Sequence, residues 1–159
     1  LSMNTAFTLL PFTNVLVEMD VTGKEVVGAL EDGVANYLDL AQSSGSHPYA
    51  AGLRWDLDMS KAKGQRFTNV QVRDRVTGVW SALDLTKTYV LVTNDFMAAG
   101  KDGYTTLGVA YNAGRYVNTY LLYTQSFVDY LLAKGSIARP ARADYSHQRV
   151  VTAAGVVLP

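Results

Sequence analysis

The sequence predicts a single domain that mixes α and β structure. At 159 residues, the chain is long enough to bury one hydrophobic core. Several segments alternate polar and apolar residues, as half-buried strands do, and two others carry apolar residues at helical spacing. No internal repeat or linker-like stretch divides the chain. One domain of mixed α and β structure is therefore expected.

The first strand and the first helix follow each other directly. Residues 15–21 alternate in the manner of a strand with one buried face. Thr22 and Glu25 then have the spacing of a capping box, which predicts a helix that starts there and runs to about Ala41. Its apolar face consists of Val27, Leu30, Val34, Tyr37 and Leu38.

The later elements alternate between strands and one more helix. We expect a loop over 42–48, strands over 53–58 and 67–80 with a turn at Thr77-Gly78, a central strand over 88–94, and a last strand after His147. The central position is expected because "TYVLVTN" is a continuous apolar run. A helix is expected over "TQSFVDYLLAKG", with Thr124 as its N-cap and Gly135 at its end.

Composition excludes several classes of function. The 14 basic and 14 acidic residues balance, so there is no electrostatic case for binding nucleic acid or an anionic membrane surface. The apolar runs are too short for membrane insertion, and the first residues do not resemble a signal peptide. The absence of cysteine rules out disulfides and thiolate catalysis. Leu1 is not preceded by an initiator Met, so we expect the chain to be a piece of a longer protein.

The common catalytic signatures are not satisfied. Gly100-Lys101 is followed by Asp102 and preceded by Asp95, where a P-loop needs Ser or Thr and Gly. No serine has nucleophile-elbow spacing. His47 and His147 lie far apart in the sequence without acidic neighbours, so we expect surface or loop roles for both rather than metal ligation. No catalytic residue and no metal ligand is assigned to this chain.

Three blocks of sequence resemble the C-terminal, substrate-binding domain of the 5'-nucleotidase family, which includes the UDP-sugar hydrolases and NAD nucleotidases. The blocks are "LLPFTNVLVEMDVTGKEVVGALEDGV", "HPYAAGLRWDLD" and "TYVLVTNDFMAAGKDGY", and they occur in the family's order over about two thirds of the chain. The resemblance implies an α+β fold of mixed β-sheets with flanking helices, and it assigns residues 1–159 to this substrate-specificity domain. Only eleven residues precede Phe12, so the fold is expected to lack its first elements and to leave a sheet edge or apolar patch exposed.

The resemblance also implies a nucleobase sandwich. Phe12 and Phe96 match the two family aromatics that stack on the base, a contact worth about 1–3 kcal/mol per base. The alternative is that both are core phenylalanines. Asn14 matches the asparagine near the base edge, or else it is a turn residue at the entry to the strand.

Two further positions belong to the same expected site. Asp102 matches the acid that holds the ribose, because a carboxylate accepts two hydrogen bonds and suits a vicinal diol. The flanking glycines are expected to let the backbone approach the ligand and adopt positive φ. Gly52 matches a small-Gly position near the nucleoside, or else it serves a tight entry to a strand. Lys101 stands where the family usually has Gly, and we expect it to be a solvated loop tip.

The expected function is therefore nucleotide recognition within a secreted or periplasmic, metal-dependent 5'-nucleotidase-like hydrolase. The resemblance places two divalent metal ions and the chemistry in an N-terminal metallophosphatase domain, which this chain lacks along with the family's phosphate-binding arginine loop. The chain alone is expected to be inactive, with a nucleotide or nucleoside and that N-terminal domain as its partners. A stand-alone nucleoside-binding or structural module is the alternative. The sequence does not choose among AMP, UDP-sugar, NAD and cyclic nucleotides, nor does it give the oligomeric state.

Overall fold

A computed structural model describes residues 2–158 and arranges the strands in two sheets. The strands are Val15–Thr22 (β1), Leu53–Asp58 (β2), Phe67–Arg73 (β3), Trp80–Ala82 (β4), Thr88–Asn94 (β5), Tyr116–Leu122 (β6) and His147–Val151 (β7). The α-helices are Met3–Leu9 (α1), Gly23–Leu38 (α2), Asp95–Ala98 (α3), Thr105–Asn112 (α4) and Tyr123–Lys134 (α5). The predicted α+β class, with two sheets and flanking helices, is confirmed.

Each sheet has its own strand order. The three-stranded sheet runs β5-β1-β6 with antiparallel neighbours, and in it Leu16 lies opposite Asn94. The four-stranded sheet runs β4-β3-β2-β7 and contains one parallel pair, β2 with β7, in which Trp55 lies opposite His147. Each of these two registers brings together segments that are far apart along the chain.

Helix α2 carries apolar residues into both parts of the core. Val26 and Ala29 pack in one cluster with the buried face of β1 and with α4, and Leu30 and Val34 pack in a second cluster beneath β2 and β3. The helix starts where the capping box predicts: the Thr22 hydroxyl accepts from the Glu25 amide at 3.2 Å, and the Glu25 carboxylate accepts from the Thr22 amide at 2.8 Å. It ends at Leu38, three residues before the expected end.

Two expectations about the later elements are wrong. β5 is an edge strand of its sheet rather than a central one, and its alternate residues Val90 and Val92 are exposed. A continuous apolar run does not by itself reveal whether both faces are covered. Thr124 is not the N-cap of α5, which is Leu122; the Thr124 hydroxyl lies in the first turn and donates to the carbonyl of Leu10 at 2.7 Å.

The other predicted elements are confirmed, and four were not foreseen. The strands over 53–58 and after His147, the turn at Thr77-Gly78 and the stop at Gly135 with φ +70° all occur. The sequence analysis did not identify α1, α3, α4 and β6. In the described range 2–158, no helix has the length and apolar character needed to cross a membrane.

Candidate functional site

The two expected stacking residues lie at the same end of the three-stranded sheet. The chain passes Phe12 just before it enters β1, and it reaches Phe96 just after it leaves β5. Because these strands are antiparallel, with Leu16 opposite Asn94, the entry to one and the exit from the other meet at one edge. The structure therefore brings the two segments together, although 84 positions separate the residues.

One carboxylate joins these segments directly. Oδ1 of Asp95 accepts from the Asn14 side-chain amide at 2.8 Å, from the Val15 backbone amide at 3.2 Å and from the Phe96 amide at 3.0 Å. The first two donors belong to the segment that carries Phe12. Asp95 therefore links the two segments that carry the aromatic residues just beyond the last backbone pair of β1 and β5, Leu16 with Asn94.

The Phe12 segment has a second anchor on α5. The Phe12 amide donates to the Tyr123 hydroxyl at 3.1 Å, and the Tyr123 amide donates to the Asn14 carbonyl at 3.0 Å. These two bonds fix the irregular residues between α1 and β1 against the first turn of α5. The segment is therefore held on two sides even though it has no regular structure of its own.

Neither phenylalanine is a core residue in this chain. Phe12 is 71% exposed and Phe96 is 46% exposed. None of the aromatic ring contacts within residues 2–158 joins one of these rings to the other. Two exposed rings on fastened backbone are an arrangement that can accept a flat ligand, and burial in the core does not account for them.

The loop that carries Asp102 takes a backbone path that favours glycine. Gly100 and Gly103 have φ of +81° and +79°, and Asp102 itself lies in the left-handed region at φ +51°. Aspartate is one of the few residues with a side chain that adopts this region. The Asp102 side chain is exposed, as a ligand-facing acid would be.

The two glycines are needed for packing as well as for φ. A Cβ on Gly103 would lie 2.7 Å from Oδ1 of Asn36 on α2, and a Cβ on Gly100 would lie 3.1 Å from the Cα of Gly108 on α4. The predicted positive φ is therefore confirmed. The close approach observed is to α2 and α4, and it sets the shape of the loop.

Two polar side chains hold the region beneath this loop. Buried Asp32 on α2 accepts from the Thr106 amide at 2.7 Å and from the Thr105 hydroxyl at 3.0 Å, and it pairs with Lys63. Burial acts to raise the pKa of Asp32, but the hydrogen bonds from Lys63 and Thr106 outweigh it and hold that pKa below its ordinary value. Buried Tyr104 donates to the Ser46 carbonyl at 2.7 Å, and burial raises the pKa of its phenol.

Gly52 lies in the other sheet, at the entry to β2. Its φ is +73°, its carbonyl accepts from the Arg73 amide at 2.9 Å, and a Cβ would meet no atom within 4 Å. No hydrogen bond in the described part of the chain links it to the other four candidate residues. The structure thus brings the segments of Phe12, Asn14 and Phe96 to one edge of the three-stranded sheet, and it places Gly52 at the other sheet, before β2.

The two histidines form a pair that the sequence analysis missed. Nε2 of His47 lies 2.9 Å from Nε2 of His147, and the rings are nearly parallel, with centroids 4.9 Å apart. Each ring also has a hydroxyl partner on its other nitrogen. The Tyr37 hydroxyl lies 2.9 Å from Nδ1 of His47, and the Ser146 hydroxyl lies 3.1 Å from Nδ1 of His147. Both histidines are half-buried at the wall of a cavity of about 700 Å³, so neither is a simple surface residue.

Burial sets the charge of this pair. It lowers the pKa of His47, and burial together with the neighbouring His47 lowers the pKa of His147 to about 4. Both rings are therefore neutral near pH 7, and one N–H between the two Nε2 atoms supplies their hydrogen bond. No group of three or more His, Cys, Asp or Glu side chains among residues 2–158 is placed to hold a metal ion.

Comparisons with known proteins identify the family of this chain. Residues 1–108 match the family described as 5'-nucleotidase, C-terminal domain. The NAD 5'-nucleotidase of Haemophilus influenzae is 37% identical over 133 residues, which cover 82% of this chain and 22% of that protein. A probable 5'-nucleotidase of Treponema pallidum is 36% identical over 134 residues, which cover 84% of this chain and 22% of that protein.

Solved structures give the same result for the fold. The 5'-nucleotidase precursor of Thermus thermophilus superposes with a TM-score of 0.79 at 35% identity, over 91% of this chain and 27% of that one. The NAD nucleotidase of Haemophilus influenzae superposes with a TM-score of 0.78 at 35% identity, over 84% of this chain and 24% of that one. The chain thus spans about a quarter of the length of these relatives.

Proposed function

The chain belongs to the 5'-nucleotidase family as its C-terminal domain, and from this premise we propose that it recognises the nucleoside part of a nucleotide. Phe12 and Phe96 would stack on the two faces of the base, and Asp102 would accept hydrogen bonds from the ribose hydroxyls. One observation carries the proposal most: both rings are exposed, and a single Asp95 carboxylate ties the backbone that bears them. Stacking on an aromatic ring suits any base, because every base has a π-face.

Asn14 and Gly52 would contribute to the site in different ways, one through its side chain and the other through its backbone. The Asn14 amide nitrogen is committed to Asp95, and its Oδ1 has no partner within residues 2–158. Asn14 would therefore act as a hydrogen-bond acceptor toward a base beside it, which favours an amino group over a keto oxygen. Gly52 would contribute at most its backbone, because it has no side chain and lies at the entry to β2.

Binding of adenosine to the 159-residue chain, measured by calorimetry, tests the sandwich. Phe12→Ala and Phe96→Ala should each weaken binding by about 1–3 kcal/mol. Phe7→Ala is the matched control, because Phe7 lies on α1 and is 50% exposed but belongs to neither segment of the site. Equal affinity of all four proteins for adenosine, at unchanged melting temperatures, would show that the two rings do not bind a base.

The acceptor role of Asn14 has its own test. Purine riboside differs from adenosine in lacking the amino group, and it carries no N–H donor at that edge of the base. We expect adenosine to bind more tightly than purine riboside, and Asn14→Ala to reduce that difference. Equal binding of the two nucleosides by the unmodified chain would rule out the acceptor role.

The activity of the full-length parent is part of the same proposal. We propose a periplasmic or extracellular 5'-nucleotidase-like hydrolase, in which an N-terminal metallophosphatase domain supplies two divalent metal ions that activate water. No step of that chemistry is assigned to residues of this chain. The 159-residue chain, incubated with AMP and excess Mn²⁺, should release no phosphate above a blank. Turnover that a chelator abolishes would contradict the assignment of the metal chemistry to the N-terminal domain.

A further inference from the structure

We infer that Asp95 is a positioning residue that sets the separation of the two aromatic rings. This inference rests on the proposed nucleoside site. Asp95 sits between the two segments and touches both, whereas the rings themselves have no ring contact with each other. The base would meet the rings only if the backbone beneath them keeps a fixed spacing, and the Asp95 carboxylate is the group that bridges this spacing.

In the described part of the chain, the hydrogen bonds to the Asp95 side chain are all made to one of its oxygen atoms. Three N–H donors, from Asn14, Val15 and Phe96, converge on Oδ1 within 2.8–3.2 Å. None of the four ion pairs found within residues 2–158 includes Asp95. The charge is therefore stabilised by hydrogen bonds from neutral groups, and these bonds are directional. Such a cluster fixes geometry more tightly than a screened surface ion pair does.

A capping role does not explain these contacts. The N-cap of α3 is Asn94, whose side chain accepts from the Met97 amide at 2.8 Å. Two of the three donors to Asp95 come instead from the strand entry that follows Phe12. The Asp95 carboxylate therefore serves the link between segments and not the start of its own four-residue helix.

The role of Asp95 can be recognised in the sequence once the register of β1 with β5 is known. Asp95 follows β5 immediately, and Asn14 precedes β1 immediately. Antiparallel pairing with Leu16 opposite Asn94 brings the two positions to the same edge. An acid at the end of one strand and an amide at the start of its neighbour are complementary only in this register.

Four variants of the 159-residue chain test the inference, with adenosine and uridine as probes. Asp95→Ala removes the acceptor and should weaken binding of both nucleosides by about tenfold, the loss expected for a charged hydrogen-bond acceptor. Both nucleosides should lose affinity alike, because ring spacing acts on any base. Asp95→Asn keeps an acceptor oxygen of the same size and should restore affinity to within about threefold.

A charge exchange with Asn14 provides the sharper comparison. Asn14→Asp alone places a second carboxylate where the amide donated at 2.8 Å, so like charges repel and binding should fall. Combining Asn14→Asp with Asp95→Asn removes this repulsion, but the amide at position 95 cannot donate to position 14 and accept from the Val15 and Phe96 amides at the same point. Affinity should therefore recover only in part. Asp129→Asn on α5 is the control, because within residues 2–158 the one hydrogen bond to that carboxylate comes from Gln125 of its own helix.

The possible outcomes separate this inference from the proposed function. If Phe12→Ala and Phe96→Ala leave adenosine binding unchanged, the nucleoside site itself is wrong. If those two variants lose affinity while Asp95→Ala and Asn14→Asp bind normally, the site stands and the positioning role is overturned. If Asp95→Ala does not fold, Asn14→Asp still decides, and normal nucleoside binding by that variant overturns the inference.

Discussion

Lowering the pH should weaken the fold through the His47–His147 pair. The pKa of His147 falls from 6.5 to about 4 on folding, and the pKa of His47 is also lowered. Above pH 6.5 both imidazoles are neutral in the folded and the unfolded chain, and the contribution of the pair is fully present. Between pH 6.5 and about 4, His147 is protonated in the unfolded chain but neutral in the folded chain. The free energy of unfolding therefore decreases as the pH falls.

The structure bounds the size of this effect. A shift of this extent for His147 corresponds to about 3 kcal/mol at the usual 1.36 kcal/mol per pH unit. His147 is only half-buried, so solvent screening reduces the expected loss to about 1–2 kcal/mol. For a chain of this length that loss lowers the melting temperature by roughly 3–6 °C.

Burial is the main physical cause of both lowered pKa values, and the hydrogen bond between the two rings acts in the same direction. Nε2 faces Nε2 at 2.9 Å, so one nitrogen donates and the other accepts. A second proton would turn the acceptor into a donor, and two N–H groups would then face each other. The other titratable groups at this cavity or next to the rings are Tyr37, Tyr49, Arg142, Asp144 and Tyr145.

The assay compares the wild-type chain with a His47→Asn/His147→Asn double variant. Denaturant unfolding at about pH 7 and about pH 4.5 gives the free energy of each, and subtracting the two proteins removes the contribution of the carboxylates common to both. The difference should shrink by about 1–2 kcal/mol at the lower pH. Parallel pH curves for the two proteins, or imidazole NMR titrations centred near the ordinary histidine pKa, would refute the reasoning.

Two other changes have direct expectations. Arg115 hydrogen bonds lower the pKa of Glu25 to about 2, so Arg115→Ala should raise that pKa toward 4.5, as followed by carboxyl NMR. Because the Glu25 contribution is present above 4.5 and lost toward about 2, the variant should also flatten the acid limb of the stability curve. Gly103→Ala should cost more stability in denaturant unfolding than Gly52→Ala: both glycines have positive φ, but only at Gly103 would the new Cβ clash with Asn36, and equal losses would contradict this.

The elements that could be predicted are those whose signals are local in sequence. The alternation in β1 and the Thr22–Glu25 capping box both lie within a few residues of the structure they specify, and the capping box forms as expected. Gly135 ends α5 for the same kind of local reason, because a left-handed stop favours glycine. Local chemistry of this kind needs no knowledge of what packs against it.

Placement within a sheet could not be predicted in this way. The apolar run of β5 looks the same whether one face or both faces are covered, and here Val90 and Val92 remain exposed. The histidine pair was missed because its members are 100 positions apart. Only the parallel pairing of β2 with β7, which sets His147 opposite Trp55, brings them within reach.

The residues of the candidate site also differ in whether local sequence was enough to identify them. Phe12, Asn14, Phe96 and Asp102 could be named because short blocks of sequence resemble a known family. Asp95 links the segment of Phe12 and Asn14 to that of Phe96, and no local sequence pattern points to this role. Its partners are 80 and 81 positions away, so its role depends on the register of β1 with β5.

The same separation of local and distant causes explains why the loop carries a side chain at Lys101 between two positions that hold glycine. Gly100 and Gly103 are held by contact with Gly108 and Asn36, and both have positive φ, so a side chain at either place would be costly. Lys101 lies outside the left-handed region and its side chain is exposed. A side chain there neither strains the backbone nor displaces a neighbour. The Lys101 side chain is therefore compatible with the loop shape that Gly100 and Gly103 set, and Asp102 stays presented to solvent.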